Sequence, residues 1–264
     1  MVLDLDGVVF RGDEAVPGAD GFLNRLAAAR LGIVAVTNHA GRTPEAVSAK
    51  LAGLGLRIDA AAVVTSACVT AAYLAREGVT SARVLGTPAL VRAVSEAGVR
   101  VEATSTEAVV VGYAPDATFG ELAAAAQVVH AGGRFVATND DGSVPHGAGI
   151  WPDAGATVAF VSAASGRAPT VVGKPARWPF EEGLRRLGLV AADVAVVGDT
   201  LATDIRGGNA VGCRTLWLDA SGTGVAASVE ASSRPTWIAR DPIEAAAILL
   251  AAARGEEGAE GARG

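Results

Sequence analysis

Cysteine is nearly absent. The 264 residues hold two, Cys68 and Cys213, far apart and without metal-ligand spacing. Nothing in that spacing points to a cysteine-held metal, and a reducing compartment is expected. An excess of positive charge is also missing. Lys and Arg total 22 against 28 Asp and Glu, for a net charge of −6, and the basic residues are dispersed. That argues against nucleic acid or an anionic membrane as partner. It leaves room for a phosphorylated substrate, because a site can hold local positive charge inside an acidic protein. Long hydrophobic runs are lacking too. The longest, Ala245–Ala253, is far too short to cross a bilayer, and Asp4 interrupts any apolar signal segment at the outset. A soluble, cytoplasmic protein is expected. No internal repeat points to a solenoid. What is present is a 50% hydrophobic composition, enough to bury a full core in one large domain or two modest ones.

Local patterning alternates strands with helices. An amphipathic helix is expected over Asp20–Leu31, with Phe22, Leu23, Leu26 and Leu31 on one side and Gly32 closing it. Ile33–Val36 is a continuous apolar run, as in a strand buried on both faces. Thr43-Pro44-Glu45 reads as a helix start, with Thr as N-cap, Pro at the first position and an acid in the first turn. Val63-Val64 is read as a strand and Ser66–Arg76 as a helix. This βαβαβα series predicts a doubly wound, largely parallel α/β sheet of Rossmann type. A second series has strands near Val84–Leu85, Val109–Val111 and Phe135–Ala137, and helices near Ala89–Ala97, Thr118–Ala131 and Asp153–Ser165. A third follows Val171-Val172: a helix at Trp178–Leu187, a strand at Val194–Val197, and a helix near Leu201–Ala210. It continues with a strand at Arg214–Leu218, a helix near Gly224–Glu230, an apolar Thr236–Ile238 and a helix at Pro242–Ala253. The tail, Arg254–Gly264, has a composition expected to stay disordered.

The stretch Val2–Gly7 carries the first candidate site. Val2, Leu3 and Leu5 read as strand, and Asp4 and Asp6 stand two residues apart, a spacing that puts both on one face of a strand. Two like charges on a buried face need a cation or a proton between them. Taken alone, the stretch reads equally well as a turn, since Asp-Gly is a frequent turn signal. Two further strands end in polar groups, Thr37-Asn38 and Asp199, and Lys174 lies in a loop ahead of a helix. In a parallel sheet the carboxyl ends share one rim. The carboxylates could bind Mg²⁺. Hydroxyl, amide and ammonium groups could hold phosphate oxygens. One carboxylate is left to attack phosphorus and another to move a proton.

These residues also match a family. Asp4-Leu5-Asp6-Gly7-Val8, Thr37-Asn38, Lys174 and Gly198-Asp199 through Thr203-Asp204 resemble the four motifs of the haloacid dehalogenase superfamily. Arg42-Thr43-Pro44, Thr65-Ser66-Ala67, Ala137-Thr138-Asn139 and Val172-Gly173-Lys174-Pro175 extend the resemblance to its NagD and p-nitrophenyl-phosphatase-like branch (subfamily IIA). The resemblance implies a Mg²⁺-dependent phosphatase with a role for each residue. Asp4 would be the nucleophile that forms an aspartyl-phosphate, and Asp6 the acid and base. Asp4, the Asp6 carbonyl and Asp199 would ligate the metal, with Asp204 a carboxylate behind them or on the metal side. Thr37 and the Asn38 backbone would bind the phosphoryl group, and Lys174 would neutralise it. It further implies a core at residues 1–79 and 169–253 with an inserted α/β cap of the C2 type at 80–168, a type that often forms homodimers. Asn139-Asp140-Asp141 is the cap's candidate substrate contact, with His146 and Trp151 close behind. A small phosphorylated metabolite, such as a glycerol- or sugar-phosphate, is the implied substrate.

Plainer readings stand beside these. Lys174 alone would be a surface lysine, Asn139 and Asp140 a turn, and His146 a loop residue. His39 either tunes the pocket or does nothing. His130 would sit at a helix end, and the four tryptophans would be core or interface aromatics. Cys68 and Cys213 would be small buried hydrophobes. The competing functions are a phospho-accepting signalling domain and a non-catalytic phosphate-binding protein on the same fold. A phospho-acceptor of receiver type lacks a large insert and the second Asp.

Overall fold

The computed structural model describes residues 1–146, 149–225 and 229–256. The chain forms two compact units. One comprises residues 1–37, 48–63 and 180 onward, and the other residues 38–47 and 64–179.

The first unit is built on a six-stranded sheet in the order Trp237–Ala239, Arg214–Leu218, Ala195–Gly198, Val2–Leu3, Val34–Thr37, Val63–Thr65. Val2 pairs in parallel with Val196 on one side and with Val34 on the other. The first strand in sequence thus lies in the interior, and strand order reverses across it. Crevices form at such reversals, outside the carboxyl ends of the strands. The apolar runs explain the placement. Val2, Leu3, Val34, Ala35, Val36, Val196 and Val197 are all buried, as strands covered on both faces must be.

The helix Arg177–Leu187 fits beneath this sheet through Gly183, where a Cβ would come within 2.7 Å of Val2 Cγ2. The helix expected over Asp20–Leu31 runs from Ala19 to Ala28, and Gly32 is not its stop. Arg30 takes the left-handed conformation instead, at φ 57°. The Arg30 and Leu31 N–H groups then donate to Ala27 O and Leu26 O at 2.9 and 3.0 Å, satisfying carbonyls that a helix end leaves open. Leu201–Ala210 is also not one regular helix. Leu201–Ile205 forms a π turn before the short α-helix Arg206–Ala210.

The second unit has a five-stranded sheet in the order Thr170–Val171, Arg134–Ala137, Ala108–Val111, Ser81–Leu85, Arg100–Val101, with every pair parallel. Leu85, Val109, Val111 and Phe135 pack with Val129 and Val161 from the helices Phe119–His130 and Ala154–Ser165. The first of these helices opens with a reciprocal capping pair, Thr118 and Glu121. Its last residue, His130, lies 3.1 Å through Nδ1 from Ser165 O.

Two antiparallel ribbons lie outside the expected α/β alternation: Phe10–Arg11 with Glu14–Ala15, and Ser143–His146 with Gly149–Pro152. Trp151 on the second ribbon is 45% exposed and so is no core aromatic. Cys68 is half-buried, whereas Cys213 is buried as expected. The helix expected near Gly224–Glu230 falls partly on residues 226–228, outside the described residues, and its described positions are not helical. The tail beyond Glu256 also lies outside the described residues. Among the described residues, no helix is long and apolar enough to cross a membrane.

Candidate active site

In the first unit the strand Val2–Leu3 delivers Asp4 at its carboxyl end, where the Asp4 N–H still donates to Val197 O at 2.8 Å. The chain then turns sharply. Val9 N–H donates to Leu5 O at 2.9 Å and Gly7 N–H to Phe10 O at 2.8 Å. Leu5 is buried between the two acids, and Asp6 emerges exposed. Gly7 is required here. Its φ is 81°, and a Cβ on it would stand 1.9 Å from Asp199 Oδ2.

Asp199 follows the strand Ala195–Gly198. Its carbonyl accepts from the Trp217 indole N–H at 2.8 Å, and its Oδ1 from the Thr200 hydroxyl at 3.1 Å. The π turn then carries Asp204 back over the strand end. The approach is so close that a Cβ on Gly198 would be 2.2 Å from Asp204 Cβ. The Thr200 N–H donates to Asp204 Oδ2 at 3.2 Å.

One carboxylate oxygen each from Asp4, Asp199 and Asp204 therefore lies within 4.8 Å of the other two. Asp4 and Asp204 are buried and Asp199 half-buried. Full charges at that separation repel by roughly 3–4 kcal/mol per pair at an effective dielectric of 20. A hard divalent cation relieves such repulsion and prefers oxygen ligands of this kind. The donor set therefore fits Mg²⁺. Asp6 stands outside this carboxylate group, so the side chain beside Asp4 and Asp199 is that of Asp204. Thr37 ends the strand Val34–Thr37, half-buried.

The second unit holds its own polar cluster. Lys174 is buried, and its main chain is bound on both sides by the Asn38 carboxamide. Asn139, 1% exposed, donates through Nδ2 to Asn38 O at 2.8 Å. Ser66 Oγ donates to the same carbonyl at 2.5 Å. Burial pushes the Asp153 carboxyl above its usual range, and the neighbouring Asp141 charge adds to the push. The Asn38 side chain lies in direct contact with Asp141. The sequence names Asp141 only within a candidate substrate-contact stretch and Ser66 only within a motif, and it does not give their hydrogen bonds to Asn38. The available signals are the resemblance at Thr65-Ser66-Ala67 and the place of Asp141 two residues after Asn139. His39 is exposed, with Gly41 close to its ring.

Two family descriptions match the chain: haloacid dehalogenase-like hydrolase over residues 1–100, and HAD-hydrolase-like over residues 171–245. An acid sugar phosphatase of Staphylococcus haemolyticus is 34% identical over 242 residues, 91% of this chain and 92% of that protein. The chain belongs to the haloacid dehalogenase-like hydrolases. The ribonucleotide monophosphatase NagD of Escherichia coli is 33% identical over 239 residues, 90% of this chain and 94% of that one. The solved NagD structure superposes with a TM-score of 0.84 at 32% identity, covering 92% and 96% of the two chains. A glycerol phosphate phosphatase of Mycobacterium tuberculosis, solved with magnesium, superposes with a TM-score of 0.83 at 36% identity, covering 92% of this chain and 74% of that one. This haloacid dehalogenase-like enzyme is thus of the NagD-like branch and is a phosphatase. The two matched stretches contain Asp4, Asp6, Thr37, Asn38, Lys174, Asp199 and Asp204.

Proposed function

We propose that this phosphatase hydrolyses small phosphomonoesters, glycerol- or sugar-phosphates among them, with Asp4 as nucleophile. The observation that carries the reading is the acid cluster of Asp4, Asp199 and Asp204 at the carboxyl ends of adjacent interior strands. Asp4, the Asp6 carbonyl and Asp199 would hold Mg²⁺, with Asp204 beside them. Bound there, the cation would offset the negative charge of the cluster and of a phosphoryl group.

The remaining work falls to the chain. An Asp4 carboxylate oxygen attacks phosphorus and the ester P–O bond breaks, leaving an aspartyl-phosphate. Asp6, protonated at this stage, gives its proton to the departing alkoxide. Its carboxylate then takes a proton from water. The resulting hydroxide attacks phosphorus, the bond to Asp4 breaks, and inorganic phosphate leaves. Thr37 and the Asn38 backbone would orient the phosphoryl oxygens, and Lys174 would offset their charge. On this reading residues 80–168 are the inserted cap, a source of substrate contacts including Asn139 and of homodimer contacts, and the enzyme works in the cytoplasm.

The test is direct. Purified protein with Mg²⁺ should hydrolyse p-nitrophenyl phosphate, and Asp4→Asn should lower kcat by at least about 10³-fold, as removal of a nucleophile does. Full activity in Asp4→Asn would overturn the assignment. Stable phosphorylation of the wild type without turnover would favour a phospho-acceptor instead. A panel of glycerol, sugar and nucleoside monophosphates, ranked by kcat/KM, identifies the substrate class.

A further inference from the structure

Asn38 has no hydrogen-bonding donor to spare. A carboxamide offers two N–H donors and one carbonyl acceptor. One Nδ2 donor goes to Asp141 Oδ2 at 3.1 Å and the other to the Lys174 carbonyl at 3.2 Å. Oδ1 accepts from the Lys174 N–H at 2.7 Å. The main-chain carbonyl of Asn38 takes two donors of its own, Ser66 Oγ at 2.5 Å and Asn139 Nδ2 at 2.8 Å. A side chain committed in this way has no N–H left for a substrate.

We propose that Asn38 is a positioning residue: its carboxamide grips the main chain of Lys174 from both sides and so sets where the ammonium can reach. The proposal rests on the reading of Lys174 as the lysine that offsets phosphoryl charge. The side-chain chemistry is specific. A carboxamide of this length presents an acceptor to one N–H and a donor to the C=O of the same residue. Aspartate lacks the donor, serine is too short, and glutamine carries an extra methylene.

Independent features support the grip. Gly173, just before the lysine, leaves the space the carboxamide needs, since a Cβ there would stand 2.8 Å from Asn38 Oδ1 and 2.4 Å from Thr138 O. Asp141 is itself anchored. Its carbonyl accepts from Gly155 N–H at 2.9 Å, and its N–H donates to Asn139 Oδ1 at 3.1 Å. The grip matters because the reach of a lysine ammonium is measured from its main chain, and holding that origin keeps the ammonium within range before substrate arrives. Misplacement of a charged group by about 1 Å can cost on the order of 10²-fold in rate.

The test is a set of variants assayed with p-nitrophenyl phosphate and Mg²⁺, with folding followed by circular dichroism. Asn38→Ala should lower kcat by about 10- to 100-fold with a much smaller change in KM. Adding Asn38→Ala to Lys174→Ala should cause no further loss, because a misplaced lysine and an absent one leave the same gap. Asn38→Asp should be as poor as Asn38→Ala, because a carboxylate has no donor for the Lys174 carbonyl and also faces Asp141. The pair Asn38→Asp with Asp141→Asn restores a donor–acceptor contact between positions 38 and 141 but no donor to the Lys174 carbonyl, so it should stay well below wild-type kcat.

Each alternative result is decisive. An inactive Lys174→Ala beside an Asn38→Ala of wild-type kcat overturns the positioning role and leaves the reading of Lys174 intact. A fully active Lys174→Ala overturns that reading itself. Losses that multiply in the double variant assign Asn38 a role independent of the lysine and reject the proposal. Should Asn38→Ala not fold, the Asn38→Asp with Asp141→Asn pair decides: a folded pair that stays well below wild-type kcat supports the grip, and one with wild-type kcat rejects it.

Discussion

Two glycines that look alike in the sequence differ in what they protect. Gly7 and Gly12 both have positive φ, 81° and 56°. A Cβ on Gly12 meets nothing within 4 Å, whereas one on Gly7 lands on Asp199. Gly12→Ala should therefore cost only the backbone strain, about 1–2 kcal/mol, and leave kcat unchanged. Gly7→Ala should cost a similar strain and also lower kcat at least tenfold, because Asp199 must move away from Asp4. Thermal melts and kcat on the two variants separate strain from displacement. Acids that end strands, such as Asp4 and Asp199, were legible because their position follows from local pattern. For Asp204 the sequence left open a place behind the ligands or on the metal side. Its nearness to Asp4 depends on a π turn and on a bare Gly198, which hydrophobic periodicity does not report.

At the scale of elements, the helix Arg177–Leu187 is tied down by charge. Glu182 accepts from Arg185 at 2.7 and 2.8 Å and from Arg186 at 2.8 Å. Arg186 also donates to the carbonyls of Ala61 and Val63, both at 2.9 Å. The Arg185 guanidinium, with Arg186 behind it, holds the Glu182 carboxyl below the ordinary glutamate range against the opposing effect of burial. A carboxyl depressed in the folded state stabilises above its unfolded pKa and loses that contribution as pH falls through the folded one. Glu182→Gln should thus be less stable than wild type by about 1 kcal/mol at pH 7. The difference should close as pH drops below the usual glutamate range, as urea titrations at several pH values would measure. Most elements were legible from periodicity: Ser66–Arg76, Arg214–Leu218 and Pro242–Ala253 coincide with their expected bounds. The two ribbons were not. Phe10–Arg11 and Glu14–Ala15 are two residues each, too short for alternation to register.

For the whole molecule, a metal that binds only the folded acid cluster must stabilise it by mass action. Mg²⁺ at about 100 times its Kd should add roughly 2.7 kcal/mol, and chelation should remove the gain. Asp199→Asn should abolish the response, because it withdraws one of three converging carboxylates. A melting temperature that ignores Mg²⁺ in the wild type would contradict the proposed metal site.

Sequence alone was enough for the parallel α/β character, the family and the acids at the strand ends. Each of these follows from neighbours along the chain: apolar runs, capping residues and short motifs. Tertiary structure decided which distant groups meet. It set Asp204 beside Asp4, opened Gly7 to Asp199, and joined Asn38 to Lys174 across 136 positions of sequence. Hydrogen bonds and close approaches of that kind depend on how strands order and loops fold back, and local patterning does not encode such pairings.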